Sequence, residues 1–400
     1  MVQETRQRAP QARLARNHAR VLDAAARSAA QNGPIGLSFL RVANEAGLSR
    51  RPIQDRFHDV TELSIALWKD LVGPELITSL NQAMTYAGLL DEPQNVAEFV
   101  KACARFQRPD HLLLAGVELF LDSQFDEELS RAIQESLTPW YNSLCVPSPD
   151  ITPALAARRA WIIMMGLGLI LFSHRPGARA LDCSWVFQEY ARTFAQAHEP
   201  IDLPEVAAPH LNVITHVNTG DSILNALIDS VLRHVAQEGY LHASVEKIVA
   251  TANCSQGALF SRFATKKELF LEATRLQNET ALAANEEYLR MIEQKSSREI
   301  AEAVAIREFQ KPGRELQRAL LLEQLRLTWH DEELLGKQAE TVDAFYENSG
   351  LSDSVASPEQ FKTLAHVGLS IGTGATALPL IYKESWRLPF DVVAAHFNNG

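Results

Sequence analysis

Apolar residues recur along this chain at spacings of three and four, and no Val/Ile/Thr-rich stretch alternates with polar positions between turn residues. That periodicity predicts amphipathic helices and no strands, an all-α fold. Near the start, Leu22, Ala25, Ala26 and Ala29 make one apolar face of a helix that stops at Asn32 and Gly33. Ser38 is then expected to cap a short helix burying Phe39, Val42 and Ala43. Gly47 makes a tight turn, and Ser49 is expected to cap a third helix whose apolar side is Ile53 and Phe57. Asp59 with Glu62, and Thr265 with Glu268, have the spacing of a capping box, so a fourth helix is predicted to begin at both places.

The pattern occurs twice. Residues 21–71 lie on residues 227–277 at a constant offset of 206 without a gap. Asp23, Arg27, Ala30, Gln31 and Gly33 reappear as Asp229, Arg233, Ala236, Gln237 and Gly239. Ser38, Ala46, Ser49, Arg56, Phe57, Glu62 and Leu63 reappear as Ser244, Ala252, Ser255, Arg262, Phe263, Glu268 and Leu269. The echo persists further on: Asp126 to Leu129 reads DEEL, as does Asp331 to Leu334, and Gly166 and Gly168 match Gly372 and Gly374. Self-similarity of this length predicts duplication of a unit of about 200 residues rather than a short-period solenoid. The expected layout is a first helix-turn-helix domain at 1–60, a first helical domain at 61–198 and a Pro-containing linker at 199–218. A second helix-turn-helix at 219–266 and a second helical domain at 267–400 follow.

Composition agrees with folded domains: 400 residues, 46% hydrophobic and 22% charged. The basic N-terminus lacks the apolar stretch of a signal peptide. The longest apolar run, Trp161 to Phe172, is short of the roughly 20 residues that span a bilayer. The expectation is therefore a cytoplasmic protein with no membrane partner. Cys103, Cys145, Cys183 and Cys254 are scattered without metal-ligand spacing, so they read as reduced core thiols and no metal site is expected. The net charge of -11 is unevenly distributed: residues 1–60 carry +5, residues 221–277 balance, and residues 61–200 and 278–400 carry -7 each. Local charge decides where a polyanion docks.

Gly239-Tyr240, Ser244 to Ile248, Ser255 to Phe260, Phe263 and Thr265 to Leu269 resemble the N-terminal motif of TetR-family transcriptional regulators. The first copy is similar through Gly33, Ala46 to Arg51, Phe57 and Glu62-Leu63. The resemblance implies three N-terminal helices per unit reading double-stranded operator DNA and a larger helical domain binding a small effector. It also implies pairing through the last two helices. Relatives usually carry one unit and act as homodimers, so this chain resembles a covalent pseudo-dimer, with further homodimerisation open. Two departures stand out. Where the family commonly has a recognition-helix Tyr and a Lys opening the fourth helix, the first copy has Gln54 and Val60, and the second has Phe260 but keeps Lys266.

The helix after Ser49 projects Arg50, Arg51, Gln54 and Asp55 away from its apolar side, as a major-groove reader requires. The matching positions in the second copy are Gln256, Gly257, Phe260 and Ser261. Ser38, Ser244, Ser49, Ser255, Lys266 and Lys267 suit phosphate contacts. Arg6, Arg8, Arg13, Arg16 and Arg20 read as a basic arm for the backbone or a minor groove.

Candidates to line a largely apolar effector pocket are Trp140, Tyr141, Trp161 and His174 in the first unit, with Trp329, His330, Tyr346 and His366 in the second. The stretches 161–172 and 368–380, with 183–197 and 389–397, are expected to form a four-helix interface between units. No cofactor is expected, and no nucleophile elbow or phosphate loop supports an enzyme. The competing class is a module of the same fold that has lost DNA contact and binds a small molecule or protein instead.

Overall fold

Ala24, Ala25, Ala26 and Ala29 have no side chain beyond Cβ, so neighbouring helices can approach α1 (Val2–Asn32) closely, and all four are fully buried. In this computed structural model residues 2–86, 90, 92–196, 203–206, 217–337, 340 and 357–391 are described. Helix accounts for 77%, and the described residues hold no strand, as the periodicity predicts. Tyr346, most of the predicted linker and most of 389–397 lie outside the described residues.

After α1 come α2 (Phe39–Ala46), α3 (Arg51–Gln54), α4 (Val60–Leu67), α5 (Gly73–Thr85), α6 (Pro93–Gln107), α7 (His111–Asp122), α8 (Glu127–Cys145), α9 (Pro153–Phe172) and α10 (Ser184–Ala195). The second half runs α11 (Ser222–Glu238), α12 (Val245–Thr251), α13 (Gln256–Phe260), α14 (Lys266–Glu293), α15 (Arg298–Gln310), α16 (Glu315–Thr328) and α17 (Pro358–Ala377). The order repeats. We call α1 to α3 the first head and α11 to α13 the second.

The main difference between the halves lies after the heads. In the first, α4 and α5 are separated by a π-turn at Trp68–Val72, while α14 runs on without a break. Pro74 has no N–H to give the carbonyl four residues back, and the Gly73 N–H instead reaches the Trp68 carbonyl, five back.

Three apolar clusters result among the described residues, the smallest being Tyr288, Leu289, Ile292, Ala301 and Val304 on α14 and α15. One joins the first head to the helical body: Val21 to Phe57 pack continuously with α4 to α10 and with Val367, Ile371 and Ala375 of α17. The second head has its own core of Leu227, Val231, Ile248, Leu259 and Phe270, which reaches α16 through Leu320. Cys103, Cys145 and Cys183 are buried thiols as expected; Cys254 is partly exposed at the edge of the second head.

The tightest packing is between α9 and α17. A Cβ on Gly168 would lie 1.6 Å from the Ser370 carbonyl oxygen, and one on Gly374 would lie 1.7 Å from that of Met164. Only backbone fits there. Just one glycine of each expected Gly-x-Gly pair serves the crossing: Gly166 packs instead on Leu80 and Phe106, and Gly372 faces open space. Helix α9 is long and apolar enough to cross a membrane, but 83% of its most apolar window is buried inside the protein. Its composition reflects a helix surrounded by other helices. Helix α10 packs on α6 and touches α17, so three of the four expected interface helices meet among the described residues.

Candidate nucleic-acid interface

Each head is built by helix caps. Ser38 Oγ accepts from the Arg41 N–H and Ser244 Oγ from the Lys247 N–H, opening α2 and α12. Asp59 accepts from Glu62 N while Glu62 accepts from His58 N; Thr265 and Glu268 do the same with Glu268 N and Ala264 N. In both, the glutamate reaches back to the N–H one residue before the cap rather than to that of the cap itself, a variant of the expected capping box. The turn after α2 is left-handed at Gly47 (φ 58°), and the matching position in the second head is Asn253 (φ 49°), one of the few residue types that tolerates this conformation.

The third helices of the two heads start differently. Ser255 caps α13 by accepting from the Ala258 N–H at 3.1 Å. The sequence predicts the same for Ser49, but α3 begins at Arg51 with Arg50 before it and no side-chain cap. The reason is Pro52. It stands 206 residues before Ala258 and has no N–H for Ser49 to accept from.

The exposed groups differ as well. On α3 and its flanks Arg50, Arg51, Gln54 and Asp55 are exposed; Arg51 is 90% exposed and lies 3.9 Å from Asp55. On α13 Phe260 is 49% exposed, a Cβ on Gly257 would make an ordinary contact with Ser255 Oγ at 3.6 Å, and Ser261 Oγ donates to the Ala258 carbonyl. Gln256 Nε2 donates to Glu246.

The six cations of residues 221–277 all have partners in the structure. Arg233 pairs with Asp229, Lys247 with Glu238, Arg262 with Asp221, Lys267 with Asp331 and Glu333, and Arg275 with Glu272 and Glu279. Lys266 is the most committed. Its Nζ donates to the carbonyls of Tyr240 (2.7 Å) and Ala243 (2.9 Å) and sits 4.1 Å from the Tyr240 ring centroid. Burial lowers its pKa. The sequence reading made Lys266 a phosphate contact; here it ties the start of α14 to the turn before α12, leaving one N–H over.

The predicted basic arm is helical: α1 extends back to Val2, carrying Arg6, Arg8 and Arg13.

The described effector candidates sit as follows. Trp140 is partly buried with Nε1 bonded to Asn81. Tyr141 is fully buried, stacked on Tyr382 at 5.3 Å, and Trp161 tilts against Tyr190 at 6.1 Å. His366 is fully buried in α17 with Phe172 edge-on at 6.3 Å, and both ring nitrogens lack partners. His174 and Trp329, which the sequence assigns to different units, stack at 5.1 Å, with His330 against the same indole. Burial, with repulsion from neighbouring cations, pushes both His174 and His366 down to about 4. One cleft of about 190 Å³ lies at the π-turn, lined by Trp68, Gly73, Pro74, Ile77 and Ala132 with Lys69 and Glu135 at its rim. It holds none of the predicted residues and is smaller than usual ligand sites.

Residues 227–273 match the family described as bacterial regulatory proteins, tetR family. They form a tetR-type helix-turn-helix domain. No curated protein matches the chain. The match covers the second head from within α11 into α14, and it supports a DNA-binding transcriptional regulator.

Proposed function

We propose that the chain is a ligand-responsive repressor in which two tandem tetR-type units act as a covalent pseudo-dimer on an asymmetric operator. The observation that carries this reading is the register of the α9–α17 crossing. Gly168 meets Ser370 and Gly374 meets Met164; 168 and 374, like 164 and 370, differ by 206. A two-fold interface has this property, with residue i on j and j on i. The matched helix orders and the paired capping boxes support it further.

The first head is the stronger reader. Arg50 and Arg51 stand exposed for bidentate contacts with guanine, with Gln54 suited to adenine. The second head offers Gln256, Gly257 and the apolar Phe260, while its cations must exchange protein partners for phosphates. A homodimer reads a palindrome because its halves are alike. Here Arg50-Arg51-Pro52 faces one half-site and Gln256-Gly257-Ala258 the other.

The test is selection of sites from random DNA, followed by gel shifts at rising salt. Two dissimilar half-sites and an affinity that falls steeply with salt are expected. A perfect inverted repeat bound by a single chain, or the absence of salt-dependent binding, overturns the reading. Induction requires an effector that binds the free and DNA-bound forms unequally. The pairing of all the second head's cations within the protein is the specific support for the rival, a non-DNA-binding module of the same fold, and the same gel shift decides between them.

A further inference from the structure

Beneath the heads lies a buried ionic cluster made by both halves. Arg326 of α16 is 4% exposed and donates to Glu323 (2.6 Å), to Glu118 of α7 (3.2 Å) and to Asp122 (3.0 Å). Glu118 is 1% exposed and Glu323 0%. One guanidinium thus bridges carboxylates on two helices from opposite halves. The truncation of either partner would leave an uncompensated buried charge.

The cluster touches each head at the same place. Gly33 and Gly239 close α1 and α11 with positive φ. A Cβ on Gly33 would meet the His330 ring at 2.9 Å and Glu118 at 3.0 Å; one on Gly239 would meet Phe125 at 3.3 Å and Glu323 at 3.4 Å. Glu118 and Glu323 differ by 205, as do Phe125 and His330 and the two DEEL runs, so with a one-residue slip from 206 in this segment the two joints correspond. Arg326 has Leu121 at the matching position and breaks that symmetry.

The joints differ in strength. Glu323 Oε1 accepts from the Tyr240 backbone N–H at 2.8 Å, fastening the second head directly. The residue in Tyr240's place in the first head is Pro34, which has no N–H, and Glu118 Oε2 has no hydrogen-bond partner. His330 takes over: its Nδ1 donates to the Gln31 carbonyl at 3.2 Å and its Nε2 lies 3.7 Å from Glu118.

We propose that Arg326, with Glu118, Asp122 and Glu323, is a tie that fixes the separation of the two heads, and that His330 is the positioning residue joining the first head to it. The proposal rests on the pseudo-dimer reading and deepens it: the operator's half-site spacing is set by this cluster rather than by the recognition helices. Arg326 and His330 touch no DNA and act through the heads.

The test measures the distance between spin labels on Leu40→Cys and Leu241→Cys, both exposed, in full-length protein with Cys254→Ser. The parent should give one narrow distance. Arg326→Met and His330→Ala should broaden or shift it, and His330→Asn, which keeps a donor for the Gln31 carbonyl, should restore it. In gel shifts without labels, one inserted base pair moves the second groove by about 3.4 Å and should cost the parent roughly tenfold in affinity. For His330→Ala the same insertion should cost less than about threefold, with base preferences within each half-site unchanged. An unchanged distance distribution in folded His330→Ala, or a broad one in the parent, overturns the tie. Because His330 is partly exposed, that variant decides the matter even where Arg326→Met does not fold. A parent chain with the expected distance response but no DNA binding would support the tie and sink the regulator reading.

Discussion

Gly168 on α9 and Gly374 on α17 lie 206 residues apart in sequence, and each receives the other helix's backbone, at Ser370 and at Met164. The contact leaves no room for Cβ on either side. Gly168→Ala and Gly374→Ala should therefore each force the helices apart, and each should cost about 1–3 kcal/mol or somewhat more, the usual range for overpacking. Gly372→Ala, where nothing lies within 4 Å, should instead be neutral or stabilising by up to about 1 kcal/mol through helix propensity. Denaturant unfolding of the three variants is the measurement, and similar losses at the first two sites with none at the third are expected.

The environment of Lys266 inverts the usual expectation for a lysine at a DNA-binding surface. Its ammonium is held by the carbonyls of Tyr240 and Ala243. Lys266→Met should destabilise the second head by roughly 1–3 kcal/mol, the scale of hydrogen bonds to a charged group. It should leave the salt dependence of DNA binding almost unchanged. Arg51→Ala should do the opposite, lowering affinity and the salt slope with little effect on stability, since its side chain is 90% exposed. Paired unfolding and salt-titrated gel shifts separate the two.

Helices α3 and α13 give a matched pair of cap tests. Ser255→Ala removes an acceptor that holds the Ala258 N–H and should cost about 1 kcal/mol, visible as faster amide exchange in α13. Ser49→Ala should change stability by less than about 0.5 kcal/mol, because Pro52 already denies Ser49 its donor.

That pair also marks where sequence reasoning stops. The all-α fold, the turn at Gly47 and the capping boxes at Asp59 and Thr265 were legible because each depends on residues within a few positions of one another. Pro52 acts just as locally, since its missing N–H leaves Ser49 without the donor that Ala258 gives Ser255. Asn253 in the left-handed turn had the same standing as any polar residue until it was set beside Gly47. What could not be read were contacts made by folding the halves together. His174 and Trp329 were assigned to separate pockets and stack on each other. Arg326 and Glu118, with 208 residues between them, carried no local signal at all, since buried charges look like surface charges in a sequence.

Acid stability follows from the buried titrating groups. His174 and His366 are held at about 4, well below the ordinary 6.5, by burial first and neighbouring cations second. The unfolded chain therefore binds protons that the native state refuses. The stability these histidines contribute is full above pH 6.5 and is lost as pH falls through about 4. Asp122 runs the other way: burial raises its carboxyl to about 6 against the pull of Arg326, so its contribution is lost as pH rises from 3.8 through 6. Between pH 6.5 and 5 the two histidines outweigh the one aspartate, and the unfolding midpoint should fall with acid. His366→Leu should flatten that slope and raise stability at neutral pH, because both ring nitrogens are buried without partners and leucine has none to satisfy. Asp122→Asn should steepen it by removing the opposing proton. A pH series of denaturant unfolding on the parent and the two variants provides the check, and a slope in His366→Leu equal to that of the parent would show that this histidine is charged in the folded protein.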